Sequence, residues 1–402
     1  MNAVGIDVSK GKSTIAVLRP LGEIVAMPFD IEHSNSELSK LATLISGLSG
    51  ETRVIMEYTG SYYQPIARFL HDAGIFVTVV HPMLIHNYGN NSIRRIKTDK
   101  KDAIKIANYG FDRWVHLTPY APEEETRLTL KSYNRQYYQY MKLKVALKNN
   151  LISMLDKTYP GINTLFSSPA RKDGHEKWVD FVAHFWHVAC VMKMSKNKFI
   201  GSYNRWCEKA GYNKSSAKAE QIYTFSRSLV SIFPMNEATK QLVACAIKEY
   251  SAMSETLAML KTYMQHLAAQ LPEYNVVMSI YGVGETLGPQ IMAEIGDVRR
   301  FRNKQSLVAY AGVDAPPFQS GTFEARKRSI SKRGSPLLRK SLFQIMACLM
   351  QNAPTDDPIY QFLDRKRTEG KHYYVYMIAG CNKFLRIYYA RVKEYMERQQ
   401  AC

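Results

Sequence analysis

The stretch Ala-Val-Gly-Ile-Asp-Val (3–8), with the apolar runs at 12–18 and 23–29 that follow it, decides the fold of the N-terminal part of this chain. The segments between these runs, Ser-Lys-Gly (9–11) and Pro-Leu-Gly (20–22), have the composition of turns. Each run has the length and apolar pattern of a β-strand. We therefore expect three antiparallel strands, the first two joined by a tight hairpin.

Helices and strands alternate after these three strands. Thr98 stands where an N-cap is expected, because its hydroxyl can accept a hydrogen bond from the first turn of a following helix. Apolar spacing predicts helices at 35–47, 61–73 and about 99–110, and strands at 53–57 and 75–80. This order predicts an α/β domain over 1–120, with a mixed five-stranded sheet and helices on its faces.

The rest of the chain has a helical pattern. Two long stretches, 123–157 and 237–270, carry apolar residues at helical spacing and are predicted to pair as an antiparallel coiled coil. The segment between them at 169–234 is aromatic and basic. We expect a helical coiled-coil region over 121–270 that contains this insertion. A mostly α-helical domain is expected over 271–402, ending in helices at about 336–351, 356–368 and 372–398.

The charge balance limits the function classes. Lys plus Arg number 54 against 35 Asp plus Glu, a formal net charge of +19 with a pI near 9.5. Such an excess indicates a nucleic-acid partner. An apolar stretch of about 18 residues and a signal peptide are both missing, so a membrane partner is disfavoured. The six cysteines form no Cys-x-x-Cys pair, as in a reduced cytosolic protein, and 16 Phe and 26 Tyr offer stacking surface for RNA or single strands.

Four acidic residues, Asp7, Glu57, Asp99 and Asp102, fall in the most patterned segments of this basic chain. Asp7 and Glu57 interrupt or end apolar strands, where a carboxylate is costly unless it is satisfied. Asp99 and Asp102 are three residues apart and share one side of a helix. Carboxylates gathered at one point suit Mg²⁺ or Mn²⁺. We expect a metal site, with nearby phosphates bound by the cations Arg94, Arg95, Lys97, Lys100 and Lys101.

Each acid also has a structural interpretation when it is taken alone. Asp99 suits the positive end of a helix dipole, and Asp102 can form a solvated pair with Lys105. Asp7 also fits the first phosphate loop of an ATPase with the actin and sugar-kinase fold, although we find no second phosphate loop.

The C-terminal region contains a candidate nucleophile. Gln-Ser-Gly (319–321) lies between two prolines and a run of basic residues, so a hydroxyl at Ser320 can be exposed beside charges that stabilise a phosphate. Ser329, Ser331 and Ser335 are equally near those charges and remain alternatives. The cations expected to contact nucleic acid here are Arg326, Lys327, Arg328, Lys332 and Arg333.

Gly282-Val283-Gly284 lies between two helical stretches. Such a turn can present backbone N–H groups to a DNA phosphate, as in a helix-hairpin-helix motif. A glycine that ends a helix is the other interpretation.

Together these motifs resemble the DEDD transposases of the insertion-sequence 110 family. The N-terminal motifs are Gly-Ile-Asp-Val-Ser-Lys (5–10), Glu57 with Thr59-Gly60, and Lys-Thr-Asp-x-x-Asp-Ala (97–103). The C-terminal ones are Ile-x-Gly-Val-Gly (280–284), Pro-x-x-Ser-Gly (317–321) and Ile-Ser-Lys-Arg-Gly (330–334). The resemblance implies an RNase H-like, RuvC-type first domain with Asp7, Glu57, Asp99 and Asp102 as its metal tetrad. It also implies Ser320 as nucleophile, although Thr322 stands where a second glycine is expected.

The resemblance further implies a site-specific recombinase that moves an insertion element. Its expected partners are double-stranded donor and target DNA, a non-coding bridge RNA and further copies of itself in a dimer or tetramer. Cutting would proceed through a phosphoserine link, with the metal site and serine supplied by different subunits, in the bacterial cytoplasm at the nucleoid. Two alternatives remain: a metal-dependent Holliday-junction resolvase or nuclease without a covalent step, and a non-catalytic nucleic-acid-binding protein.

Overall fold

A computed structural model describes residues 1–58, 60–88, 98–317, 319–320, 323–324 and 328–401, the backbone alone at 319–320, 323–324 and 400–401. The chain divides into two compact units, Met1–Pro122 and Glu123–Cys402. The elements of the first unit are β1 (Asn2–Val8), β2 (Lys12–Arg19), β3 (Glu23–Glu32), α1 (Asn35–Ser46), β4 (Thr52–Glu57), α2 (Tyr63–Asp72), β5 (Val77–Val80), α3 (Pro82–Asn87) and α4 (Asp99–Asp112).

The first unit is built on a five-stranded sheet in the order β3-β2-β1-β4-β5. β2 pairs antiparallel with β1 and β3, whereas β4 runs parallel to β1 and β5 parallel to β4. Helices α1 and α2 pack on one face of the sheet, and α3 and α4 on the other. The predicted mixed five-stranded sheet is therefore confirmed. Only α3 was not predicted, since its six residues begin at Pro82 in a segment expected to be a loop.

Gly5 lets helix α4 lie directly against strand β1. A Cβ atom at this position would stand 2.1 Å from the carbonyl oxygen of Ala103 and 2.5 Å from the backbone nitrogen of Ala107. Backbone cannot yield to such an overlap as a flexible side chain can. Further along α4, a Cβ on Gly110 would meet the side chains of Ile55 and Ala3. Because Ala103 lies over Gly5 and Gly110 lies near Ala3, α4 runs antiparallel to β1.

The second unit is almost entirely helical. Its helices are α5 (Glu125–Thr158), α6 (Lys177–His184), α7 (Val188–Met192), α8 (Lys196–Lys209), α9 (Ser216–Arg227), α10 (Glu237–Ala269), α11 (Tyr274–Met278), α12 (Leu287–Ile295), α13 (Lys304–Ala311), α14 (Pro336–Asn352), α15 (Pro358–Thr368) and α16 (Tyr373–Ala401). A two-stranded ladder of β6 (Gln319–Ser320) and β7 (Phe323–Glu324) stands between α13 and α14. The five helical stretches predicted in this unit correspond to α5, α10, α14, α15 and α16. Their predicted ends fall within two residues of the observed ones, except that α16 extends further.

Helices α5 and α10 pair antiparallel and support two separate cores. Tyr133 contacts Tyr263, whereas Lys144, further along α5, lies over the ring of Tyr250, earlier in α10. The N-terminal half of α5 contributes Leu130 to a core built with α10 to α16, and its C-terminal half contributes Leu151 and Leu155 to a second core with α6 to α9. The antiparallel pairing is observed, while coiled-coil packing in detail stays a prediction, as does a domain boundary at 270/271.

The aromatic side chains of the segment 169–234 fill the second core. Trp178, Trp186 and Trp206 are each no more than 9% exposed, and Phe181 and Tyr203 are fully buried. Edge-to-face and tilted ring contacts link them, with Phe181 near the centre of the group. The prediction that aromatic rings offer stacking surface for RNA or single strands is therefore wrong for these residues, because their rings are buried and stabilise the fold of the insertion.

A buried ion pair and buried side-chain hydrogen bonds hold α5 against the first core of this unit. Arg127 forms a bidentate ion pair with Glu273, in which both side chains are at most 3% exposed. Further along the same side of α5, the Asn134 amide donates to Glu294 at 2.9 Å and the Tyr138 hydroxyl donates to Gln290 at 3.0 Å. Buried groups of this kind add little net stability when paired, but they fix which faces of the helices meet.

Two findings concern the class of protein. Among the described residues, no helix is both long enough and apolar enough to cross a membrane. The five described cysteines, Cys190, Cys207, Cys245, Cys348 and Cys381, carry free thiols. The cytoplasmic location predicted above stays a prediction.

We expect Gly5→Ala to destabilise the first unit by about 3 kcal/mol or more, because a methyl group on Gly5 overlaps backbone atoms of α4. Thermal or urea unfolding of the full chain measures the change. Gly201→Ala is the matched control, since nothing lies within 4 Å of a Cβ on this glycine of α8. Equal effects of the two substitutions would contradict the role assigned to Gly5.

Candidate active site

Two of the predicted acids end neighbouring parallel strands. Asp7 lies near the end of β1 and Glu57 is the last residue of β4, and both are half-buried. Ala3 and Ile55 of these strands face α4, together with Ile106 and Ala107 of that helix. Alternate residues of a strand point to the same side of a sheet. Asp7, four residues beyond Ala3, and Glu57, two beyond Ile55, therefore lie on the face that α4 covers.

The other two acids lie in the first turn of α4. Thr98 caps this helix, its hydroxyl accepting a hydrogen bond from the N–H of Lys101 at 3.3 Å, as predicted. Asp99 is exposed and Asp102 half-buried. Acidic side chains are favourable here because the N-terminal end of a helix carries partial positive charge.

The antiparallel course of α4 brings its first turn to the edge of the sheet where Asp7 lies. Ala103, which covers Gly5, is one residue after Asp102, and Asp7 is two residues beyond Gly5 in the opposite chain direction. Two residues of strand and one turn of helix span similar lengths, about 6 Å each. The four acids therefore converge on one edge. Among the described residues, however, no three His, Cys, Asp or Glu side chains are grouped closely enough to hold a metal ion.

A fifth acid lies on the same face of the sheet. Thr14 is opposite Asp7 in the β1–β2 register, and Asp30 is opposite Thr14 in β3. The Thr14 hydroxyl, 4% exposed, donates to the Asp30 carboxylate at 2.7 Å. Sequence reasoning missed Asp30 because the third strand was predicted to end at residue 29, whereas it continues to Glu32. Counting the hairpin register back from the turn at Pro20–Gly22 would have placed Pro28 opposite Thr14, because the β2–β3 pairing shifts register before it reaches Asp30.

Two of the five cations predicted beside the acids belong to the described residues. Arg94, Arg95 and Lys97 lie outside the described residues. Lys100 and Lys101 are exposed in the first turn of α4, where they can reach phosphates near the acids.

The candidate serine lies on a loop whose neck is clamped by hydrogen bonds. Ser320 ends β6, and its backbone pairs with Phe323 of β7. At the base of the loop, the N–H of Lys332 donates to the carbonyl of Gly312 at 3.1 Å, and the N–H of Ser331 donates to that of Asp314 at 2.8 Å. Arg339 of α14 ties the same neck by donating to the carbonyl of Ala311 at 3.0 Å.

Two of the alternative serines have structural partners. The Ser331 hydroxyl donates to the Asp314 carboxylate at 2.5 Å. The Ser335 hydroxyl donates to Glu294 at 2.6 Å and caps α14 by accepting from the N–H of Leu338. Ser329 is exposed. Among the predicted basic residues of this loop, Arg328, Lys332 and Arg333 are exposed, and Arg326 and Lys327 lie outside the described residues.

The two glycines predicted to meet a phosphate have different environments. Gly282 has a φ of +78°, and a Cβ there would lie 3.0 Å from Ile345 and Leu349 of α14, so this position needs glycine for the turn and for packing. Gly284 has no atom within 4 Å of such a Cβ, and its carbonyl accepts from the N–H of Gly288 at 2.8 Å. Of the two, only Gly284 has open space around it, so the phosphate contact at this turn stays a prediction.

Comparisons with known proteins match both ends of the chain. A DEDD transposase model of the IS110 family, described as "Transposase", matches residues 4–160, and a "Transposase IS116/IS110/IS902 family" model matches residues 274–361. The first match contains all four predicted acids, and the second contains Ser320 and the basic residues around it.

Relatives with printed names include a "Pilin gene-inverting protein" of Moraxella bovis, 23% identical over 85% of this chain and 80% of its own length. The "Insertion element IS900 uncharacterized 42 kDa protein" of Mycobacterium paratuberculosis is 24% identical over 41% of each chain. Among solved structures, Thermus thermophilus RuvC covers 30% of this chain and 100% of its own, with 14% identity and a TM-score of 0.24. Since models of one insertion-element family match both the acidic domain and the serine-containing domain, the chain belongs to the IS110 family of transposases.

Proposed function

We propose that this transposase cuts and rejoins DNA strands at a site formed by Asp7, Glu57, Asp99 and Asp102, with Ser320 as the nucleophile. One observation supports the proposal: at Gly5 the backbone of α4 lies directly against β1, with the helix antiparallel to the strand, so that its acidic first turn lies toward the strand end at Asp7. The net charge of +19 makes a concentration of carboxylates at this edge unusual and favours a role beyond solubility.

The donor set fits divalent cations. Carboxylate oxygens are the ligands that Mg²⁺ and Mn²⁺ prefer. Asp7, Glu57 and Asp102 are half-buried and Asp99 is exposed. When bound, such cations stabilise the charge that develops on a phosphodiester during strand cleavage. Asp7 and Glu57 of the sheet and Asp99 and Asp102 of α4 would hold them.

Ser320 supports a covalent route. In this proposal its Oγ forms a bond to the phosphorus, the bond from phosphorus to the 3′ oxygen breaks, and the 3′ oxygen leaves as a hydroxyl while the serine loses its proton. Attack by the 3′ hydroxyl of another strand reverses the sequence and releases the serine. The hydrogen bonds that clamp the loop neck limit its freedom, while Ser331 and Ser335 already serve as donors within the fold.

The proposed partners are double-stranded DNA, a guide RNA and further copies of the chain. DNA follows from the family, and a "pilin gene-inverting" relative is named for a rearrangement of DNA. A guide RNA is compatible with the basic charge, and its contribution is tested by adding or omitting the RNA transcribed from the flanking sequence. Light scattering measures the proposed dimer or tetramer.

We expect Asp7→Asn, Glu57→Gln and Asp102→Asn each to lower the rate of strand cleavage about 1000-fold, because several kcal/mol of charge stabilisation is lost. The assay follows nicking of a supercoiled plasmid that carries the element ends, with Mg²⁺ present and the flanking RNA added. Asp72→Asn is the control, since Asp72 is an exposed acid of α2 paired with Arg68. Cleavage at the normal rate by all three variants would exclude the acidic site. Failure of the wild type itself to cleave would instead favour a non-catalytic binding protein.

We expect Ser320→Ala to abolish a protein–DNA adduct that survives denaturation, because the phosphoserine bond cannot form. Gel electrophoresis of labelled DNA after protein denaturation detects the adduct. Ser329→Ala is the matched control, an exposed serine nine residues further along the chain. Cleavage by Ser320→Ala at the wild-type rate, with no adduct in either protein, would instead establish a resolvase-type nuclease without a covalent step.

A further inference from the structure

A cleft of about 890 Å³ lies at the base of the serine loop. Ala315 lines it from the segment that enters the loop, and Arg328 and Ile330 from the segment that leaves it. The opposite wall comes from Phe362 and Arg365 of α15 and from one face of α16. Of its lining residues, the sequence analysis named only Arg328, as a cation for nucleic acid, and Ile330, as part of the motif at 330–334.

The lining of the cleft is basic and contains no carboxylate among the described residues. Its cations are Arg328, Arg365, Lys383 and Arg386. Lys383 lies 4.9 Å from the centre of the Phe362 ring and Arg365 lies 5.6 Å from it, so the ring holds two cations on the cleft wall. Lys383 and Arg386 form no salt bridge with any carboxylate that the structure describes, unlike Lys393 and Arg398 further along α16, which pair with Glu397 and Glu394.

An exposed aromatic rim borders these cations. Tyr374 is 62% exposed and Val375 56% exposed at the start of α16, and both line the cleft. The Tyr374 ring is stacked with His372 at 5.8 Å, which limits its motion. Among the described residues, Tyr374 is the most exposed aromatic side chain, and such exposure beside a basic cleft suits binding rather than folding.

We propose that this cleft binds a single DNA strand, the one whose phosphodiester lies at Ser320, with phosphates on Lys383 and Arg386 and a base stacked on Tyr374. Basic grooves with exposed aromatic rings hold single strands in this manner, whatever the sequence. A cleft of this volume has the size of a pocket for a ligand rather than for a duplex. A DNA strand is favoured over other polyanions because the two segments of the serine loop form the cleft wall.

The test measures binding of a fluorescent 12-nucleotide oligo(dT) to the full chain by anisotropy, with a chelator present so that no strand is cut. We expect Arg386→Glu and Tyr374→Ala each to weaken binding about tenfold, the range found for loss of a stacking contact. Arg386→Glu should also reduce the salt dependence, with the slope of log affinity against log salt falling by about 0.7 for each lost phosphate contact.

Each of the two substitutions has a matched control variant. Arg398→Glu changes the net charge by the same amount on the same helix, and Tyr263→Ala removes an exposed ring of α10 that does not line the cleft. Both controls should stay within about twofold of wild type, as expected for surface changes outside a binding site. Thermal unfolding checks that all four variants are folded. Equal losses in variants and controls would overturn the proposal.

Two further arms identify the bound molecule. Binding of oligo(U) RNA more tightly than oligo(dT), with the same dependence on Arg386, would overturn the assignment to DNA and assign the cleft to RNA. Tighter binding of a 12-base-pair duplex than of the single strand, again through Arg386, would overturn the single-strand claim.

That the bound strand is also the strand that is cut rests on the proposed function. Binding of a strand in the presence of a chelator does not depend on that function. If Ser320→Ala still forms the adduct while Arg386→Glu loses binding, the proposed role of Ser320 fails and the cleft remains. If the adduct depends on Ser320 but Arg386→Glu binds oligo(dT) normally, the cleft proposal fails alone.

Discussion

The contact between the backbone of α4 and Gly5 is the constraint on which the N-terminal unit depends. A helix normally packs on a sheet through side chains, whereas here Ala103 and Ala107 meet strand β1 where no side chain intervenes. This close approach sets both the depth and the direction of α4. As a consequence, the first turn of the helix, with Asp99 and Asp102, lies toward the end of the strand that carries Asp7. The proposed site thus depends on one missing side chain as much as on the carboxylates themselves.

Most of the first unit could be predicted from the sequence, because its strands and helices show clear periods and are separated by turn residues. Asp7 and Glu57 were singled out because charged residues in apolar strands stand out, and Asp99 and Asp102 because their spacing puts them on one side of a helix. Asp30 was not found, since its position depends on how β3 pairs with β2 over the last residues of the hairpin. The aromatic residues of 169–234 were misjudged because composition does not tell a buried ring from an exposed one. The basic cleft brings together residues from three separate segments, and no local pattern shows that proximity.

Polar bonds link the long helix α5 to the serine loop through one buried carboxylate. Glu294 of α12 accepts from Asn134 of α5 and from the hydroxyl of Ser335, which caps α14 directly after the loop. The position of α5 and the start of α14 therefore depend on the same side chain. Burying an acid without a cation is unfavourable unless its oxygens are satisfied, and here each oxygen accepts a hydrogen bond. Such an arrangement selects one register of packing rather than adding much stability.

The antiparallel pair α5 and α10 extends beyond the first core of the second unit and carries a separate core on its far half. Each helix is more than 30 residues long, so the centres of the near and far halves are about 25 Å apart along the pair. Evolution can lengthen, shorten or replace what lies between the two helices with little effect on the serine loop and its neighbours. In this sense the far half of the pair, with its own core, is a module that can be exchanged while the near half stays the same. A shortened version would, however, need new polar residues where Leu151, Leu155 and Tyr250 are now covered.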